Sequence, residues 1–326
     1  MTSTTWLWII FGVLVVGVSA LDLFFITRRR GPVRLASSLR WTATWVILAL
    51  GYGLCIYFLH PQGIRLAPLY VAGYLTEYSL SVDNLFVFIL IFSLLRVPEL
   101  AQPKLIKLGI YLAIGLRVVF IIFGMVLVSH FQWMLYVFGA LLIWTAWKML
   151  TASEDDHVDP TRNILYRIAA RCLPLHDPGP TSRRMVLMVH GRPAITPLFL
   201  VFLVIGSTDV LFAIDSIPAI LGISRDPFVV LTSNVFAVLG LNSLFFALRG
   251  IMSMFRFLKH GVSVILFFIG AKMIASAWPP IEEWFHENAM VSLAVIACVL
   301  VVSIILSIWH HKDADASATK RKEAHD

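Results

Sequence analysis

The sequence predicts an all-α polytopic membrane protein with about nine transmembrane helices, and three observations carry that prediction. Its 326 residues are 59% hydrophobic and only 14% charged, with a mean hydropathy of +0.85. Several apolar stretches approach the roughly 20 helical residues that a hydrocarbon core requires. Basic residues collect on every second connection between those stretches, the charge bias of a membrane topology. An ordinary soluble domain is about 25% charged. A soluble enzyme, a nucleic-acid binder and a disordered chain are therefore excluded. The formal charge of +7 belongs to loops at a membrane surface, not to a polyanion partner.

In chain order, the spans read as 6–26, 41–59, 69–95, 108–129, 131–150, 195–221, 228–249, 258–278 and 289–309. They are continuously apolar rather than alternating, so helices are favoured over a barrel. The first lacks a basic segment ahead of it and is followed by Arg28, Arg29 and Arg30, which reads as a retained anchor rather than a signal peptide. Asp22 near its end is expected to pair with Arg28 at the interface. Residues 1–68 then form an N-terminal two-helix region, and 69–150 a unit of three spans. Residues 151–194 form a polar cytoplasmic connector. It opens on the acidic stretch Ser153–His157, read as a solvated face, with a short helix expected near 161–172. A second three-span unit covers 195–278, and the last span with a cytoplasmic tail covers 279–326.

The connections after spans 1, 3, 5 and 7 and the tail hold most of the basic residues, including Arg34, Arg96, Lys107, Arg183, Arg249 and Lys320. The alternate connections hold only Arg65, Arg225 and Lys272. The positive-inside rule places the N-terminus outside and the C-terminus in the cytoplasm. Cys55, Cys172 and Cys298 share no CxxC spacing, and no histidine lies deep in an apolar run, so neither a disulfide framework nor a thiolate metal site is expected.

The informative residues are charges inside apolar spans: Glu77 and Asp83 in span 3, Arg117 in span 4, Asp209 and Asp215 in span 6. A lone carboxylate at the bilayer centre costs roughly 2.5–3.5 kcal/mol on insertion scales. Such groups must face a protein interior or wet cavity, protonate, pair, or bind cations. Each pair is six residues apart, and each second acid precedes a polar residue, Asn84 or Ser216. The likeness continues: Gly115-Leu116-Arg117 matches Gly240-Leu241-Asn242, and Lys148-Met149 matches Lys272-Met273. Spans 3–5 and 6–8 thus read as two copies of a three-helix unit. Three spans per copy force opposite topologies, the inverted repeat of secondary transporters.

Six residues turn a helix through about 600°, leaving the acids about 120° apart and about 9 Å apart in rise. They form successive stations, or the helix opens between them. Pro218 favours opening, because it leaves the Ile214 carbonyl without its helical donor. Asp83 and Asp209 fall near the midplane, with Glu77 and Asp215 toward the outside. Carboxylates, an amide oxygen, hydroxyls and a freed carbonyl are hard ligands suited to Mg²⁺, Ca²⁺ or Mn²⁺. Glu77, Asp83, Asn84, Asp209, Asp215 and Ser216 are the expected metal-binding set. Arg117, with Asn242 and Lys272, is expected to compensate charge or couple transport, Arg117 by neutralising one acid. Asn234 and Asn242 serve equally well as glue between helices. The same acids can carry protons, so cation–proton exchange is physically natural. No HExxH, GxSxG or glycine-rich nucleotide loop is present, and an enzyme is not expected.

Two strings, Glu77-Tyr-Ser-Leu-Ser-Val-Asp83-Asn84 and Asp209-Val-Leu-Phe-Ala-Ile-Asp215-Ser216-Ile-Pro218-Ala219, together with Leu231-Thr-Ser-Asn234 and Gly270-Ala-Lys272-Met273, resemble the TerC family, its Alx branch in particular. The resemblance implies a multi-pass protein of the bacterial inner membrane that exports manganese as part of metal homeostasis. Mn²⁺ would be its substrate, no cofactor would be permanently bound, and lipid and metal would be its partners. Some relatives load metal into exported enzymes or support membrane assembly, so an assembly factor is one alternative and a monovalent cation/proton exchanger another. The chain departs from the family pattern at Gly206, where relatives carry glutamate, and at Asn242, where they carry arginine. Those two groups are expected to pair in relatives and to have been lost together.

Overall fold

Within a bilayer every backbone N–H needs an internal acceptor, so a chain this apolar folds as helices. The computed structural model describes residues 3–28, 35–95, 97–99, 101–131, 133–151, 167–168, 176, 185–189, 192–251, 258–276 and 278–323. Its helices are α1 (Ser3–Arg28), α2 (Leu35–Leu59), α3 (Gly63–Leu94), α4 (Gln102–His130) and α5 (Met134–Thr151). A hairpin of β1 (Val186–Val189) and β2 (Arg192–Ile195) precedes α6 (Pro197–Ile223), α7 (Pro227–Leu239), α8 (Leu241–Ile251), α9 (Leu258–Ala275), α10 (Pro279–Glu287) and α11 (Ala289–Glu323).

Among the described residues, α1 to α5 and α11 are each long and apolar enough to cross a membrane. The α7–α8 pair makes a seventh candidate, bent by 41° at Gly240. α6 and α9 carry shorter apolar stretches, Pro197–Val210 and His260–Ala275. The structure therefore supports six or seven spans where the sequence led us to expect nine. The bend divides the span expected over 228–249 into two helices. The opening anticipated at Pro218 is not a break, since α6 remains helical through it.

Start signals are visible at several helices. Pro197, Pro227 and Pro279 each open a helix, where a missing N–H costs nothing. Asp226 caps α7: its Oδ1 accepts from the N–H groups of Phe228 (2.9 Å) and Val229 (3.3 Å). The connector ends in an antiparallel hairpin, Val186 opposite Ile195 and Val189 opposite Arg192, which the sequence reading did not anticipate. The signal in the sequence was two short apolar stretches, Val186–Val189 and Ala194-Ile195, with a glycine, Gly191, between them. Ser153–His157, Cys172 and most of 161–172 lie outside the described residues, as does the Asp22 side chain.

The core is organised around α3, which packs on α2, α6, α7 and α11. Buried tyrosines stitch the first helices together. Tyr52 Oη donates to Leu7 O and Tyr70 Oη to Ala49 O, each at 3.1 Å, so these polar groups are satisfied within the apolar layer. α4 packs along α6, and α5 along α9. The α5–α9 contact depends on two glycines: a Cβ on Gly270 would lie 2.7 Å from Gly139 O, and one on Gly139 2.9 Å from Gly270 O. Only small residues let membrane helices approach this closely.

The connections α2–α3, α4–α5, α6–α7 and α9–α10 meet at one end of the bundle, where Arg65, Leu135, Arg225 and Lys272 line a common cavity. A second cavity near the other end of α3 is lined by Ile89, Phe92, Glu99 and Phe245.

Candidate functional site

Glu77 and Arg117 form an ion pair between α3 and α4, their side chains only 1% and 4% exposed. A buried pair of this kind repays its desolvation only when its remaining valences are hydrogen-bonded. Here they are. Glu77 Oε1 accepts from Arg117 Nη1 and from Ser81 Oγ at 3.1 Å. Oε2 accepts from Asn234 Nδ2 of α7 at 3.0 Å. Ser81 stands one turn beyond Glu77 on the same helix face, the spacing at which helical side chains meet. Three helices thus share one carboxylate.

Asp209 on α6 is in a different state. It is 7% exposed, and its Oδ2 meets no hydrogen-bond donor. Among the described residues it takes part in no ion pair. Four buried hydroxyls also lack partners: Ser19 Oγ on α1, Thr42 Oγ1 on α2, Thr76 Oγ1, beside Glu77 in sequence, and Ser216 Oγ on α6. Native interiors leave few polar groups unsatisfied, and each exception calls for an explanation such as an ion or water. Carboxylate and hydroxyl oxygens are donors that Mn²⁺, Mg²⁺ or Ca²⁺ accept.

The structure joins Glu77 to Arg117 and leaves Asp209 outside that ion pair. It makes Glu77 the acid that Arg117 neutralises, with both carboxylate oxygens engaged. Asn84 is half-buried on α3, and Asn242 is buried on α8 beyond the Gly240 bend. The side chains of Asp83 and Asp215 lie outside the described residues; their backbones sit in α3 and α6. Among the described residues, no three His, Cys, Asp or Glu side chains come together. Lys272 stands apart from the acids. It shares a cavity with Arg65, and about 18 Å of helix rise separates Arg65 from Glu77. The expected metal set omitted Ser81 and Asn234. Ser81 was legible from its spacing to Glu77. Asn234 required knowing that α7 packs on α3.

The integral membrane protein TerC family matches residues 64–315. An uncharacterized membrane protein of Myxococcus xanthus is 40% identical over 96% of this chain and 96% of its own length. The Escherichia coli (strain K12) protein Alx, whose name describes a membrane-bound redox modulator, is 36% identical over 94% of this chain and 95% of its own. The chloroplastic thylakoid membrane protein TERC of Arabidopsis thaliana is 36% identical over 86% of this chain and 70% of its own. No solved structure matches the chain.

Proposed function

The chain belongs to the TerC family of integral membrane proteins, and from that premise we propose that it is a secondary transporter exporting divalent cations, Mn²⁺ foremost. The observation that carries this reading is Asp209: a buried carboxylate oxygen with no donor, on a helix that also bears Asp215 and the unpartnered Ser216 hydroxyl. A structural acid would be paired, as Glu77 is. An acid left open in an apolar layer has a use for its charge.

The packing supports an inverted repeat of α3–α5 and α6–α9. Exchanging α3 with α6, α4 with the α7–α8 pair and α5 with α9 turns the α3–α7 contact into the α6–α4 contact, and returns the α5–α9 contact to itself. In this reading the protein sits in the bacterial inner membrane, N-terminus outside and C-terminus in the cytoplasm. Asp83, Asn84 and Asp215 complete the cation path with Asp209 and Ser216. The Glu77–Arg117 pair braces it, with Asn242 on the neighbouring helix.

Reconstituted vesicles with a trapped Mn²⁺ indicator test the proposal. Asp209→Asn and Asp215→Asn should each slow Mn²⁺ flux by about tenfold or more; unchanged flux in both rejects it. Competition by Na⁺ would identify a monovalent exchanger instead. A lack of flux in the purified protein, with stable partners on pull-down, would identify an assembly factor.

A further inference from the structure

The sequence places only three basic residues on the connections otherwise depleted of them: Arg65, Arg225 and Lys272. The fold brings all three to one cavity of about 510 Å³. They come from separate elements: Arg65 from the start of α3, Arg225 from the α6–α7 turn, Lys272 from the last turn of α9. On a membrane face that selects against positive charge, this convergence requires a reason.

Internal pairing does not supply one. Arg65 Nε is buried and meets no acceptor. Lys272 Nζ donates to Ser292 Oγ at 3.1 Å and lies 5.3 Å from the centre of the Phe285 ring, both neutral partners. Among the described residues, neither meets a carboxylate within 4 Å. Two acids line the cavity. Asp226 is committed to capping α7. Glu282 pairs with Arg225 at 3.1 Å, but these side chains are 47% and 48% exposed, so solvent screens the pair and an incoming anion can replace the carboxylate. Cationic groups are thus in excess, and they are aimed from several directions into one space.

We infer that this cavity is a binding site for a phosphate-bearing anion. Two guanidinium forks and an ammonium suit the several oxygens of a phosphate better than the two of a carboxylate. Its depth fits as well. α10 lines the cavity through Glu282 and Phe285, while Trp284 on the same helix and Trp278 just before it are 49% and 73% exposed, the aromatic belt of a headgroup layer. The phosphate belongs to an anionic lipid headgroup or to a soluble phosphate from the adjoining compartment. The inference stands independently of the cargo moved past Asp209.

The test uses the full-length protein in phosphatidylcholine nanodiscs, with thermal unfolding as the readout. One arm titrates inorganic phosphate; the other replaces part of the lipid with phosphatidylglycerol. A raised midpoint in the first arm identifies soluble phosphate, and in the second arm alone the lipid headgroup. In the responding arm, Arg65→Gln should weaken the apparent affinity by about tenfold, as loss of one charge-assisted contact implies. Lys272→Gln should do the same, and Lys272→Arg should keep the response if the glutamine variant fails to fold. Lys148→Gln, at an exposed lysine on α5, should respond like the wild type. No shift in either arm overturns the inference, as does an equal response in wild type and Arg65→Gln, or an equal loss in Lys148→Gln.

Discussion

Asn234 donates its side-chain amide to Glu77 Oε2 across 3.0 Å, joining α7 to α3 at the carboxylate that also holds Arg117. The two residues are far apart in sequence and lie in opposite halves of the chain. Their contact makes the Glu77 cluster a junction of the N-terminal and C-terminal halves rather than a feature of one.

Removing one member of that cluster should be worse than removing two. Arg117→Met leaves Glu77 charged in an apolar layer with only Ser81 and Asn234, at an expected cost of about 3–5 kcal/mol. Glu77→Gln combined with Arg117→Met should recover much of that loss. Thermal unfolding of the four proteins in one detergent measures the coupling, and additive losses would mean the pair is not structural.

Asn234→Leu should cost about 1.5–3 kcal/mol, because the carboxylate loses a donor that nothing else replaces. The same unfolding assay reads it, and a neutral result would place Asn234 outside the network.

Asp209→Asn should behave in the opposite way. It removes an unpaired buried charge, so unfolding should occur at an unchanged or higher temperature while Mn²⁺ flux falls. A variant lost to misfolding would assign Asp209 to the scaffold instead.

Gly270→Ala should destabilise by about 1–3 kcal/mol, since its Cβ would sit 2.7 Å from the Gly139 carbonyl and part α5 from α9. Gly51→Ala is the control: nothing lies within 4 Å of the added methyl, and the helix should tolerate it. Equal melting of the two variants would show that the α5–α9 approach is loose.

Gly206 separates packing from charge. A Cβ there meets only the tip of Leu112 at 2.7 Å, which a rotamer change relieves, so Gly206→Ala should be mild. Gly206→Glu should destabilise strongly, and adding Asn242→Arg should restore expression and melting if the two positions pair in relatives. Independent effects of the two changes would end that explanation.

The sequence by itself determined the helical membrane class, the positions of the apolar runs and the acids inside them. Each follows from transfer free energy along a linear chain, and so from composition and spacing alone. Only the tertiary structure decided that Arg117 answers Glu77 rather than Asp209, that Asn234 completes that pair, and that Arg65, Arg225 and Lys272 face one cavity. It also decided the bend at Gly240. These depend on which helix faces pack together. Helix packing in a membrane is set by small residues and side-chain fit between distant segments, and local hydropathy carries no record of either.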